Sequence, residues 1–380
     1  MQRLVNPFII SGYCGVEYFC DRVLETAQLA TEIANGNNVA LIAARRMGKS
    51  GLIQHYFSKP EIQQRYYTFF VDIYDTQSLS ELVLKLSREI LLRLKPAGRR
   101  AIDRFWNCVR SLQTGISFTP LGEPAFNLQV GEIREPATSL DEIFRYLEQA
   151  EKPCIVAIDE FQQIGNYPQK NVEATLRTYV QRCRNAQFIF SGSQRHTMSV
   201  MFTNASRPFF QSVSIMHLET IDIEAYDSFA KEHFRKGKRN LNDGVTQAVY
   251  QISRGVTWYT QKLFNTLYAQ TPEGSGCTVE DVEQALDYVI KTQAYSYEET
   301  LFRLPEKQKQ VLIALAKSGP TKNITSAAFV QKNALPSAST VQSAVRGLLE
   351  KDFITCEMGV YSVYDIFLAY WLKNNLLKVI

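Results

Sequence analysis

Residues 43–50, Ala-Ala-Arg-Arg-Met-Gly-Lys-Ser, follow a short apolar run and precede the apolar helical pattern 51–57. Gly-Lys-Ser between a strand and a helix is the setting in which a chain cradles phosphate groups. Backbone N–H groups and the helix N-terminus face the anion, Lys49 reaches the β and γ oxygens, and the Ser50 hydroxyl ligates Mg²⁺. Gly48 keeps side-chain bulk off the phosphates. The first glycine of the GxxxxGK[ST] pattern is absent, with Ala43 in its place. A bare Gly-Lys-Ser is common by chance, so a second motif has to carry weight. About 110 residues later, Cys154-Ile155-Val156-Ala157-Ile158-Asp159-Glu160 is an apolar strand ending in two carboxylates. Ligands of α/β sheets sit at the C-terminal ends of the strands. There Asp159 can hold Mg²⁺ through water, and Glu160 can orient or deprotonate an attacking water.

Positioning those groups calls for a parallel sheet covered by helices. Five short apolar runs, 39–44, 67–73, 154–159, 187–191 and 212–218, read as its buried strands. Between them, 79–94 and 139–151 read as amphipathic helices, and 115–133 as an inserted hairpin. A helix is also expected over 99–112, with Arg99, Arg100, Arg104 and Arg110 on a solvated face. From about Ile221 helical periodicity takes over: 224–234, 245–253, 258–269 and 279–291. The last part runs helix (305–316), Gly-Pro turn, helix (326–333), helix (339–351), then two short strands around Met358-Gly359, the order of a winged helix-turn-helix. The domains expected are a nucleotide-binding core at 1–220, a helical lid at 221–300 and a winged helix at 301–380.

Composition narrows the class. With 380 residues, 45% of them apolar, 42 lysines and arginines and 38 acids, the chain has the make-up of a folded protein with more than one core. A formal charge of +4 does not by itself demand a nucleic-acid partner. Seven cysteines without CxxC spacing suggest scattered thiols rather than a disulfide framework or a zinc cage. His55, His196, His217 and His233 show no metal-binding spacing and read as structural or surface histidines. No leader pattern and no long apolar span are visible, so a cytoplasmic protein with no membrane partner is expected.

Taken in order, these residues resemble the AAA+ ATPases of the STAND-like type, bacterial and archaeal P-loop ATPases with an Arg-Arg pair in the phosphate loop. The resemblance is carried by Asn6-Pro7-Phe8, Tyr18-Phe19-Cys20-Asp21-Arg22, Arg45-Arg46-Met47-Gly48-Lys49-Ser50 and Asp159-Glu160-Phe161-Gln162. It continues through Phe190-Ser191-Gly192-Ser193-Gln194, Arg207-Pro208-Phe209-Phe210, residues 255–261, Tyr364-Asp365-Ile366-Phe367 and Trp371-Leu372. It departs at Ala43 and Ala44, where the loop usually opens with Gly-Pro, and at Thr257, where the lid often has proline.

The resemblance implies an α/β P-loop NTPase fold of the AAA+ type, with a five-stranded parallel sheet, a helical lid and a C-terminal winged helix. It implies ATP and Mg²⁺ as cofactors, held by Arg22, Arg45, Arg46, Met47, Gly48, Lys49, Ser50 and Gly51, with Ser50 and Asp159 on the metal. Lys49, Asp159 and Glu160 would act in catalysis, with Ser193, or next Gln194, reading the γ-phosphate. An arginine finger acting in trans would be Arg207 or Arg195. Arg254 is either a phosphate contact or a cation at a helix C-terminus.

Residues 301–380 hold ten lysines and arginines against five acids, which permits phosphate contacts. The expected recognition helix, however, offers only Arg346 and Lys351. A DNA or a protein partner of the winged helix both stay open, as does a homo-oligomer. The function expected is ATP hydrolysis at a Mg²⁺-dependent P-loop site driving a conformational switch or motor, with its output through lid and winged helix. The alternative is a nucleotide-dependent DNA-binding regulator with negligible turnover. A small-molecule kinase is weaker, because the C-terminal third is spent on lid and winged helix rather than on an acceptor pocket.

Overall fold

A computed structural model of the chain describes residues 5–94, 116–118, 124–126 and 136–375. The expected 99–112 helix, Cys108 and most of the 115–133 insertion lie outside the described residues. The chain divides into two compact units. One is Ser11–Ile221; the other joins the residues up to Ile10 with those from Asp222 onward.

The first unit runs α1 (Val23–Ala34), β1 (Val39–Ile42), α2 (Lys49–Phe57), α3 (Pro60–Arg65), β2 (Tyr67–Asp72), α4 (Leu79–Arg93), β3 (Ile116–Phe118), β4 (Pro124–Phe126), α5 (Pro136–Glu148), β5 (Cys154–Asp159), α6 (Val172–Arg182), β6 (Ala186–Gly192), α7 (Arg195–Thr203) and β7 (Ser214–His217). All five expected core strands form, in the order β2-β5-β6-β1-β7, with every neighbouring pair parallel. β3 and β4 pair antiparallel, as a hairpin requires.

β1 and β5 are buried at every residue, the signature of strands covered on both faces. Alternate residues Ala40 and Ile42, Phe69 and Val71, Val156 and Ile158, and Phe188 and Phe190 enter one core cluster. Against it α5 sets Leu140, Ile143, Phe144 and Leu147, spaced i, i+3, i+4, i+7. α4 starts where Ser78 accepts a hydrogen bond from the Glu81 N–H at 3.3 Å.

The second unit contains α8 (Ile223–Lys236), β8 (Asn240–Leu241), α9 (Val245–Ser253), α10 (Thr257–Gln270), β9 (Gly276–Cys277), α11 (Val279–Phe302), α12 (Glu306–Ser318), α13 (Ala327–Lys332), α14 (Ala338–Glu350), β10 (Ile354–Glu357), β11 (Val360–Val363) and α15 (Ile366–Asn374). Two features differ from the sequence reading. The helix expected over 279–291 continues unbroken to Phe302, because 292–301 contains neither Gly nor Pro and buries Tyr297 and Leu301 on the same side. β8 and β9 form a two-residue parallel pair, too short to leave a periodic signal. Thr257 occupies the first position of α10, where a proline would also fit because its missing N–H has no intrahelical partner there.

The wing is the antiparallel pair β10–β11, joined by Met358 and Gly359 at φ 49° and 77°. Positive φ at both central residues is what a tight two-residue hairpin turn demands. α14 buries Val341, Ala344, Val345 and Leu348 and leaves Arg346 exposed. Lys351, the other cation expected of the recognition helix, donates to Gln308 Oε1 at 3.0 Å.

Phe8 is fully buried in the second unit. Its ring lies 5.2–6.0 Å from Phe229, His233, Phe234, Phe264 and Tyr268. Asn6 Nδ2 donates to the Asn265 carbonyl, and Asn265 Nδ2 to the Phe8 carbonyl, both at 2.8 Å. Phe8→Ala is expected to destabilise this unit by about 3 kcal/mol, since it leaves a ring-sized cavity. The check is the denaturant midpoint; a loss below about 1 kcal/mol would contradict the anchoring role.

Among the described residues no helix is long and apolar enough to cross a membrane. The six described cysteines are free thiols, four of them buried. Burial pushes the Cys20, Cys154 and Cys183 thiols up to about 12, so these three stay unreactive near neutral pH.

Candidate nucleotide site

The loop after β1 turns into α2 through Arg46 and Gly48, at φ 69° and 91°. Ala43 and Ala44 do not take positive φ, so the backbone does not need the missing first glycine. Gly48 caps α2, and Lys49, only 5% exposed, starts it. The Lys49 ammonium folds back over the loop, donating to the carbonyls of Ala43 (3.2 Å) and Ala44 (3.4 Å). Burial lowers its pKa; Glu160 and Asp159 oppose that shift, while Arg45 and Arg195 reinforce it. This buried cation therefore gains from a nearby polyanion.

Next to it, Ser50 Oγ donates to Asp159 Oδ2 at 2.5 Å. Two hard oxygen donors thus converge at the end of a fully buried strand, a donor pair whose chemistry fits Mg²⁺. Glu160 adopts the left-handed conformation, φ 56°, and its N–H donates to Asp159 Oδ1 at 3.0 Å. Glu160 Oε2 accepts from Ser193 Oγ at 2.6 Å and from Gln162 Nε2 at 2.5 Å.

This meeting follows from topology, because β6 lies between β1 and β5. Residues just after β6 therefore stand between the phosphate loop and the Asp159-Glu160 strand end. Gly192, the last residue of β6, permits the approach: a Cβ there would lie 2.4 Å from Met198 Sδ and 2.5 Å from Gln162 Oε1.

Arg22, 3% exposed, is brought to the loop as a brace. Its Nη2 donates to the Met47 carbonyl at 3.3 Å and its Nη1 pairs with Glu25 at 2.6 Å. The Arg45 guanidinium stands 5.6 Å from the Tyr74 ring centre. Gly51 lies in the first turn of α2, where a Cβ would meet the Phe19 ring at 3.5 Å. Gln194 caps α7 and Arg195 begins it. Arg207 is ion-paired with Glu173 on α6. Arg254 is the C-cap of α9 in the second unit, at φ 54°.

Gln162, the last residue of the Asp159–Gln162 motif, is buried and donates to Glu160. Glu173, which holds Arg207, and Asp72, aligned with Asp159 across β2–β5, carry no sequence signal of their own. Burial, with the charges of Asp159 and Glu160, raises the Asp72 carboxyl. Tyr13, Phe19 and His55 form a stack on α2. Phe19 lies parallel to the imidazole at 4.3 Å, and the Tyr13 hydroxyl is 3.1 Å from His55 Nδ1. Their partnership crosses 42 residues and leaves no local pattern.

Burial, helped by Lys59, lowers the His55 pKa. The fold therefore prefers neutral His55, so this stability is present above the unfolded value of about 6.5 and is lost as pH falls through the lower folded value. Wild type is expected to lose stability on acidification through that window more steeply than His55→Phe. Denaturant midpoints between pH 5 and 8 check this, and parallel curves would refute it.

Comparison with known proteins agrees with this architecture. Residues 295–374 match a family described as a probable winged helix domain. No curated protein sequence matches the chain. Among solved structures, the Walker-type ATPase PABY2304 of Pyrococcus abyssi superposes with a TM-score of 0.64 at 16% identity, over 97% of this chain and 99% of that one. The Aeropyrum pernix ORC2 protein, solved as ADPNP-ADP complexes, gives 0.56 at 13% identity over 98% and 96%. The Aeropyrum pernix ORC1 protein in complex with DNA gives 0.54 at 10% identity over 99% and 98%. The chain thus has, over nearly its whole length, the fold of these solved structures: an α/β core with a five-stranded parallel sheet, followed by helices and a C-terminal winged helix domain.

Proposed function

We propose that the protein binds ATP with Mg²⁺ on the 43–50 loop and hydrolyses it slowly, as a conformational switch whose output runs through the helical lid and winged helix. The observation that carries this reading is Lys49, a buried lysine at a helix N-terminus, destabilised by burial and by two arginines, beside the Ser50–Asp159 pair. A triphosphate relieves that cationic strain, and its oxygens replace the two loop carbonyls that Lys49 now contacts.

The backbone from Arg45 to Gly51 would face the phosphates, with Arg22 bracing the loop. Ser50 and Asp159 would hold Mg²⁺, which when bound would supply neutralisation of phosphate charge. Glu160 would align the attacking water, with Ser193 positioned toward the γ-phosphate. Arg207 would serve a neighbouring protomer only by leaving Glu173. The nucleotide in the solved ORC2 complexes supports the ligand class, and the ORC1 protein solved in complex with DNA supports DNA as the class of partner to test.

A second reading, a DNA-binding regulator with negligible turnover, is favoured by one observation: Glu160 Oε2 already accepts two hydrogen bonds. Wild-type ATP affinity and hydrolysis, each with and without Mg²⁺ and duplex DNA, separate the two. Mg²⁺-dependent binding with slow turnover supports the switch. Binding that never leads to turnover, together with salt-sensitive DNA affinity that changes with ATP, replaces it by the regulator. Absence of ATP binding sinks both.

A further inference from the structure

α11 is 24 residues long, about 36 Å, and packs one side into its own unit. On the other side Tyr288, Tyr295 and Phe302 are 54%, 74% and 87% exposed. They recur every seventh residue, so on a straight helix they share one line drifting by only about 20° per step. Single exposed aromatics are ordinary, whereas three in a row spanning about 21 Å mark an interaction surface.

We propose that this line is a self-association face, on which two copies of the chain pair their α11 helices antiparallel about a two-fold axis at Tyr295. In that register Tyr295 meets its counterpart, and Tyr288 of each copy meets Phe302 of the other. The charges select the direction. At about 100° per residue, Lys291 and Glu298 lie on one flank of the line, and Thr292 and Glu299 on the other; all four are exposed. Antiparallel pairing brings like flanks together in reverse, which places each Lys291 level with Glu298 of the second copy and each Glu299 level with Thr292. Parallel pairing brings opposite flanks together and sets Glu298 against Glu299.

With about 200 Å² per aromatic side chain, the exposed parts of the three rings offer roughly 430 Å² per copy. That is about half of the ~800 Å² per partner of a stable interface, and the flanking polar side chains are placed to supply the rest. Aromatic residues in the centre with charges at the rim is also how such surfaces are built.

Sedimentation of the full chain across a concentration series tests the proposal. Wild type is expected to dimerise reversibly, and Tyr295→Glu, which sets two carboxylates at the axis, to weaken the dimer at least about tenfold. Lys291→Glu and Glu298→Lys should each weaken it, and the chain carrying both should recover wild-type affinity, since the swapped charges again face each other. All of these residues are exposed, and unchanged circular dichroism spectra would show the variants folded. A wild type that stays monomeric, a dimer indifferent to Tyr295→Glu, or a double variant without recovery overturns the proposal; in the first case the line belongs to a different partner.

Discussion

Lys49→Ala is expected to weaken ATP binding on the order of 10³-fold, the cost of truncating one partner of a buried charge pair. The substitution removes the only ammonium that starts α2, and with it two hydrogen bonds to the loop carbonyls of Ala43 and Ala44. Without ligand, relief of a cation that burial disfavours is set against two lost hydrogen bonds and the uncompensated charges of Asp159 and Glu160, so a modest loss of stability of about 1–2 kcal/mol is expected. Calorimetric titration with ATP and Mg²⁺ reads the affinity, and a denaturant curve reads the fold. Affinity within tenfold of wild type, in a variant that remains folded, would remove Lys49 from the phosphate site and the main support for nucleotide binding with it.

The parts of this molecule legible in its sequence are those whose cause is local. β1 and β5 are short apolar runs bounded by polar residues, and their identity as buried strands follows from that pattern. Gly48-Lys49-Ser50 and Asp159-Glu160 are contiguous motifs, and once both end parallel strands of one sheet their meeting requires only the strand order. The wing was legible from Met358-Gly359, because a tight turn needs residues that tolerate positive φ.

What escaped has causes distant in sequence. The length of α11 is set by where Tyr297 and Leu301 pack, which no N-terminal or C-terminal signal between 279 and 302 announces. Arg22 is bonded to the Met47 carbonyl and to Glu25, and the first of these contacts, 25 residues away in the chain, leaves no local pattern that would show how it braces the loop. Gln162 reads as a polar residue after a strand. Only the close approach at Gly192 reveals that its amide lies under Glu160. Arg207, named by the resemblance as a finger candidate, is paired with Glu173 on α6, which has no pattern that would mark it.

Glu160→Gln is expected to leave ATP affinity within about threefold of wild type while lowering turnover by roughly 10²–10⁴-fold, the range of a positioned general base. The carboxamide has the same shape, and its oxygen can still accept from Ser193 Oγ and Gln162 Nε2, so the site stays assembled. What it cannot do is take a proton from water. In the unliganded chain Glu160 Oε2 is held by both donors. To receive a proton, Glu160 must use Oε1 or release one of them, a step before chemistry that would slow turnover in the switch proposed above. Steady-state phosphate release under saturating ATP and Mg²⁺ gives the rate, and equilibrium titration gives the affinity. If both fall together, Glu160 shapes the pocket rather than acting on water. If turnover stays above about a tenth of wild type, the base lies elsewhere, and Asp72, aligned with Asp159 on the neighbouring strand and with its carboxyl raised by burial, is the group to replace next.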